Sequence, residues 1–236
     1  DPEAQYLQDD NQGLVRITGA DSNEESVRTY GIRLTSVNYW VVDGFLVDGA
    51  NVWAVYGSLS KTHTIVNCTL VGGYGGTSNV HTIEKCYISG GSYGINAAVN
   101  VRGSVIQAGT YVIRDIAEEA YNTIALGGYI GFYWSSDAPS SNCIHCTTYG
   151  SRYGFYNLQA SAKNNVALLA ERGFNGGDAS YSYAGSCRYG YYGVVKGSAC
   201  YYGNCYVGTS GGTGAVSEKP IVSINQQMYA LAALLY

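Results

Sequence analysis

Three carboxylates and a guanidinium stand together in Arg114-Asp-Ile-Ala-Glu-Glu119. A pair of carboxyl groups on either side of a glycosidic bond can serve as general acid and as nucleophile or base. Asp115, Glu118 and Glu119 are therefore the residues that would carry glycan cleavage, although a solvated charged turn is the commoner meaning of such a cluster. Helical spacing competes with strand alternation over residues 113–121, and a short helical excursion there would not disturb the rungs.

Other catalytic chemistry is thinly represented. Cys143-Ile-His-Cys146 resembles half of a zinc site, but no second Cys/His pair stands at a matching spacing, and neither a metal nor a cofactor is expected. His63 and His81 are 18 residues apart and read as stacked surface residues rather than bases. A nucleophile elbow, a phosphate-binding glycine loop leading into Lys-Ser/Thr and a His-Glu-x-x-His helix are all missing from the sequence. Tyrosine is the abundant functional side chain, 24 in all. Within residues 181–206, Tyr181, Tyr183, Tyr191, Tyr192, Tyr201 and Tyr202 are candidates for stacking on a glycan or packing between subunits, since each ring is apolar with a polar tip.

A repeat must position these groups. Val42-Asp-Gly-Phe-Leu-Val-Asp-Gly49, Ile65-Val-Asn-Cys-Thr-Leu-Val-Gly-Gly73 and Ile83-Glu-Lys-Cys-Tyr-Ile-Ser-Gly-Gly91 say nearly the same thing. Followed outward, the corner residue falls at Gly44, Asn67, Lys85, Arg102, Asn122, Asn142, Asn165, Ser186 and Asn204, about 17 to 23 residues apart, the length of one solenoid coil. Next to the corners stand Phe45, Cys68, Cys86, Gly103, Thr123, Cys143, Val166, Cys187 and Cys205, and two residues on Val47, Leu70, Ile88, Val105, Ala125, His145, Leu168, Tyr189 and Val207. Alternation sends both columns inward. Ile65 and Cys68 are three apart, so the chain must bend between them, and Asn and Gly accept the left-handed backbone of a sharp corner. Aromatic-glycine phrases such as Tyr30-Gly31, Tyr93-Gly94 and Tyr153-Gly154 look like another side of the same coil. The cysteines are expected to be mostly free, buried thiols.

The expected fold is all-β, a single-stranded parallel β-helix of about nine to ten coils. Residues 1–36 form an entry coil, Leu14-Val-Arg-Ile-Thr-Gly19, and a polar loop, Asp21-Ser-Asn-Glu-Glu-Ser26. Residues 37–210 form the rod. A linker and an apolar C-terminal cap or oligomer contact fill residues 211–236, with Gly208-Thr-Ser-Gly-Gly-Thr-Gly214 ending the regular coils. Trp40 is expected near the core. Only 13% of residues are charged and the net charge is −4, with no Lys/Arg cluster, which gives no electrostatic case for nucleic acid. Nothing reaches the ~20 apolar residues of a membrane span.

The Val-Asn-Cys-Thr-Leu-Val-Gly-Gly type of coil resembles the right-handed parallel β-helix of the pectate-lyase-like superfamily, over roughly residues 14 to 210. The catalytic phrases of polygalacturonases and pectate lyases are not matched, and Val52-Trp-Ala-Val55 lacks the Asp and His of the latter. The resemblance therefore implies fold and not reaction. Leu14-Val-Arg-Ile-Thr-Gly-Ala-Asp21 and Tyr39-Trp-Val-Val-Asp-Gly-Phe45 are similar in style to β-helical segments of tailed-bacteriophage virion proteins. What this implies is a structural spike, fibre or capsid-decoration subunit at a virion or extracellular surface. Such a subunit would self-associate, as a trimer first, meet other virion proteins and contact host surface polysaccharide. The alternative is a polysaccharide-binding or depolymerising β-helix, a hydrolase or lyase, working through Asp115, Glu118 and Glu119.

Overall fold

The computed structural model describes residues 15–18, 30–34, 39–135, 141–196, 200–211 and 216–218. The polar loop at residues 21–26 and the apolar stretch from Met228 lie outside them. Every described element is a strand, and all pairings are parallel, stacking the chain into a β-solenoid of about nine turns. Val15–Thr18 pairs with Phe45–Ala50, and Val216–Glu218 pairs with Cys200–Gly203, so the ladder begins before residue 37 and runs past the glycine-rich stretch. Residues 111–121 form one strand, Tyr111–Tyr121, and not a helical excursion.

Each coil turns at residues with left-handed backbone. One stack of corners precedes the short strands of the first sheet: Gly44, Asn67, Lys85, Gly103, Asn122, His145, Asn164 and Tyr181. A second follows those strands in the later coils, at Gly127, Gly150, Leu169, Ser186 and Asn204. A third bends the long strands of the other sheet in their middle, at Asn79, Ala97, Asp115, Asn157 and Gly176. The long strands thus cover two faces, and the coil has three.

Strand register corrects the expected columns. The residue after the first corner runs Phe45, Cys68, Cys86, Ser104, Thr123, Cys146, Asn165, Ser182 and Cys200. Cys143 lies instead on the third face, between Ala120 and Ala162. Cys187 and Cys205 follow the second corner stack, where Ser186-Cys187 and Asn204-Cys205 repeat the chemistry of Asn67-Cys68 at a different bend. The shared property is a small side chain that donates to the carbonyl two residues back. Cys68, Cys86, Ser104, Thr123 and Ser182 do so at 2.9–3.1 Å. Thiol and hydroxyl are interchangeable here because both are compact donors at a buried bend. All seven cysteines are unbridged, six of them buried.

Three inward columns make the core, and their sizes compensate. In the early coils the first face supplies Leu70, Ile88 and Ile106, the second Val55, Thr77 and Ile95, and the third Ile65, Ile83 and Val101, all fully buried. From residue 120 the second face switches to Phe132, Phe155, Phe174 and Tyr191, stacked at 4.9–5.1 Å. The other two faces shrink to Ala125, Thr148, Ala167 and Ala184, and to Ala120, Cys143, Ala162 and Ala179. A close-packed interior of fixed cross-section requires this exchange of volume.

Candidate functional site

The second face carries the densest chemistry of the surface. Along its strands the pattern is outward, glycine, inward, outward. The inward member is the core column just described. The glycine column holds Gly31, Gly76, Gly94, Gly131, Gly154, Gly173 and Gly190, and a Cβ on any of them would sit 2.5–2.8 Å from a carbonyl oxygen of the neighbouring coil. A side chain at these positions would force the neighbouring coil to shift, which explains the aromatic-glycine phrases of the sequence, although Ala54 and Val112 occupy the same row fully buried.

The outward members stack along the rod. One column reads Tyr93, Tyr111, Ile130, Tyr153, Arg172 and Tyr189, the other Asn96, Arg114, Tyr133, Tyr156, Asn175 and Tyr192. Tyr93 and Tyr111 stack at 5.4 Å, Tyr111 meets Tyr133 at 5.2 Å, and Tyr133 meets Tyr156 at 5.7 Å. Guanidinium groups fill the gaps: Arg114 lies 5.7–6.0 Å from Tyr93, Tyr111 and Tyr133, Arg152 lies 5.0 Å from Tyr129, and Arg172 lies 3.7 Å from Tyr192. Burial opposes the charge on Arg114, but the Asp115 carboxylate beside it prevails and raises the pKa above the usual arginine value. Burial also raises the Tyr133 phenol. With ring faces spent on one another, an incoming ligand in the middle coils meets ring edges, phenol hydroxyls and guanidinium edges. Farther on, Tyr129–Tyr153 and Tyr189–Tyr192 are T-shaped, and one ring of each pair turns.

Of the six tyrosines singled out in the sequence, only Tyr192 belongs to this face. Tyr181 is an exposed corner residue, and Tyr183, Tyr201 and Tyr202 lie on the first face. Tyr191 is fully buried, its hydroxyl donating to the Ser182 carbonyl at 2.7 Å, so its ring is core and not contact surface. Composition pointed to the C-terminal third because tyrosines are dense there. The signal that locates the face is different: Tyr, Trp or Arg four-residue phrases with glycine second, as in Tyr30-Gly-Ile-Arg33, Tyr111-Val-Ile-Arg114, Tyr153-Gly-Phe-Tyr156 and Tyr189-Gly-Tyr-Tyr192, the second of them with valine in the glycine's place.

The three acids of the cluster are divided among separate partners. Asp115 sits at a corner, ion-paired to Arg114 at 3.2 Å and accepting the Ser135 N–H at 2.7 Å. Glu118 accepts from Asn100 at 3.1 Å, and Glu119 is ion-paired to Arg102 at 2.9 Å. Each carboxylate is held by its own partner. Among the described residues no group of three or more His, Cys, Asp or Glu could hold a metal ion. His145, expected to point inward, occupies a corner and packs edge-on against exposed Tyr121 at 5.6 Å. His63 and His81 are indeed stacked one coil apart, yet His63 is fully buried and not a surface residue. Trp40 is 37% exposed beside Tyr39 and Val41, which are more exposed still, and is not packed into the core.

No family model, curated protein or solved structure matches this chain, so its site is read from its own chemistry alone.

Proposed function

We propose that the chain is a structural subunit, a rigid rod of a virion or other extracellular surface, that holds an extended surface glycan along its tyrosine and arginine face. One observation carries this reading: outward phenol rings and guanidinium groups continue from coil to coil along one side of the solenoid. A linear polymer lying parallel to the rod axis would meet a hydrogen-bonding group at every rise of ~4.8 Å. Tyrosine and arginine suit sugar hydroxyls, since both combine a flat apolar surface with fixed donors. Strands paired on both sides leave no lateral edge, which fits a durable rod. Self-association, with a trimer as the first expectation, and contact with other virion proteins belong to the same proposal.

Depolymerisation through Asp115, Glu118 and Glu119 is the competing reading, in which carboxylates already engaged by Arg114, Asn100 and Arg102 would have to act on the glycan. Incubating the purified chain with a panel of bacterial surface polysaccharides separates the two. Binding without shortening of the polymer, weakened when Tyr111 and Tyr153 are changed to alanine, is the expected result. Failure to bind any glycan, or release of oligosaccharides, would overturn the proposal, and light scattering of the same sample tests the assembly.

A further inference from the structure

The positive charges on this face are not distributed evenly. Arg114 is neutralised by Asp115, and on the adjoining face Arg102 is held by Glu84 and Glu119. Toward the C-terminal coils the outward side chains described include Arg152, Arg172 and Arg188, with the carboxylate of Glu171, which Arg152 engages at 2.7 Å. Among the described residues, Arg172 and Arg188 form no ion pair. Arg172 is held by aromatic rings on two sides, 5.2 Å from Tyr153 and 3.7 Å from Tyr192, and donates through Nη1 to the neutral amide oxygen of Asn175 at 3.3 Å. Its Nε is sealed from solvent without a hydrogen-bond partner. Arg188 is exposed and lies 5.4 Å from the Tyr189 ring centre.

A chain of net charge −4 thus keeps more guanidinium than carboxylate groups among the described side chains here: three arginines, Arg152, Arg172 and Arg188, share Glu171. The register places Arg172 opposite Tyr189 and Arg188 in the row of Glu171, so Arg172 and Arg188 stand on neighbouring coils, one residue out of row, and Glu171 pairs with Arg152 on its other side. Stacking on tyrosine fixes the guanidinium plane in advance, which lowers the entropy lost when its fork meets an oxyanion.

We propose that Arg172 and Arg188 form an anion subsite, and that the glycan held by this face carries negatively charged groups. This rests on the reading of the face as a glycan site and adds the class of ligand. Charge complementarity selects the partner: neutral glycans gain only hydrogen bonds from the two guanidinium groups, whereas carboxylate, sulfate or phosphate substituents on successive sugars add charge pairing.

The experiment measures binding of the purified chain to hyaluronan as the carboxylate polymer, heparin as the sulfated one, a glycerol-phosphate teichoic acid as the phosphodiester, and dextran as the neutral control. Each is titrated at low and high salt. At least one anionic polymer is expected to bind more tightly than dextran and to weaken as salt screens the pairs. Arg172→Gln and Arg188→Gln should each lower that affinity on the order of tenfold. Arg102→Gln, on another face, should leave it unchanged. Arg188 is exposed, so its variant remains informative if Arg172→Gln lowers the melting temperature. Equal, salt-insensitive binding of dextran and the anionic polymers overturns the anion subsite while leaving a glycan face intact. Unchanged anionic binding in the Arg188→Gln and double variants overturns it too, and absence of binding to all four polymers overturns both readings together.

Discussion

Asn165 reaches from one coil to Cys146 in its neighbour: its Oδ1 accepts the Cys146 N–H at 2.8 Å, while its Nδ2 donates to the Cys143 carbonyl at 2.8 Å. The asparagine is fully buried and occupies the column that, after Phe45, otherwise holds cysteine, serine or threonine. Asn165→Ala removes both contacts and leaves a buried N–H without the acceptor this side chain supplies. The expected loss is about 1–3 kcal/mol, read from urea denaturation. Asn165→Asp keeps an acceptor but loses the donor and buries a charge, so it should be worse than alanine at pH 7 and should improve on acidification. An alanine variant as stable as the parent would show that the amide has no structural role.

The exchange of volume between faces makes a second prediction. One coil contributes Phe155, Ala162 and Ala167 to the core, where an earlier coil contributes Ile95, Val101 and Ile106. Phe155→Ala should cost about 3–5 kcal/mol through the cavity it opens. Ala167→Leu alone should cost about 1–3 kcal/mol through overpacking. The double variant Phe155→Leu with Ala167→Val should lose less than its two single changes added together, because one fills the space the other vacates. Strict additivity in thermal or urea unfolding would mean that the faces are sized independently.

This same exchange explains how far the fold could be seen in the sequence. Val47, Leu70 and Ile88 announce an inward column because all are large and apolar, and the solenoid and its first three coils follow from them. Past residue 120 the column continues as Ala125, Thr148, Ala167 and Ala184, small residues that carry little hydrophobic signal because the phenylalanines opposite have taken the volume. The corner column was harder for another reason. Its requirement is a compact donor, which Ser104, Asn165 and Ser182 meet as well as cysteine does, while Cys143, Cys187 and Cys205 stand elsewhere in the coil. Identical dipeptides at two different bends then drew the register off by several residues. The aromatic face stayed hidden because its two outward columns are interleaved with glycines dictated by backbone approach, and only the coil register brings Arg114, Tyr133 and Tyr156 into one row.

Asp115, Glu118 and Glu119 carry a third prediction. The triple variant Asp115→Asn, Glu118→Gln, Glu119→Gln should leave polysaccharide length after incubation the same as with the parent chain. Glu119→Gln alone should change stability by about 0–1 kcal/mol, because its pair with Arg102 is partly exposed and screened by solvent. Asp115→Asn should be the costliest of the three, since that carboxylate also accepts the Ser135 N–H and balances Arg114. Oligosaccharide release that disappears in the triple variant would make these residues a catalytic group.

His63 makes the stability of the early coils depend on pH. Burial disfavours its imidazolium, and the nearby His81 and Lys61 add to this, so its pKa falls below the usual 6.5 despite the pull of the Leu34 backbone. In the unfolded chain the same ring takes up a proton at the usual value, so between that value and the lowered one the unfolded state binds more protons. The stability contributed by a neutral, buried His63 is therefore complete above about pH 6.5 and declines as pH falls from there through the lowered folded value. Melting temperatures recorded from pH 8 to pH 5 should fall in this window. His63→Leu should flatten the decline, whereas His145→Gln, at an outer corner, should leave it in place. A parent and a His63→Leu variant with parallel pH profiles would show that the imidazole is not the titrating group.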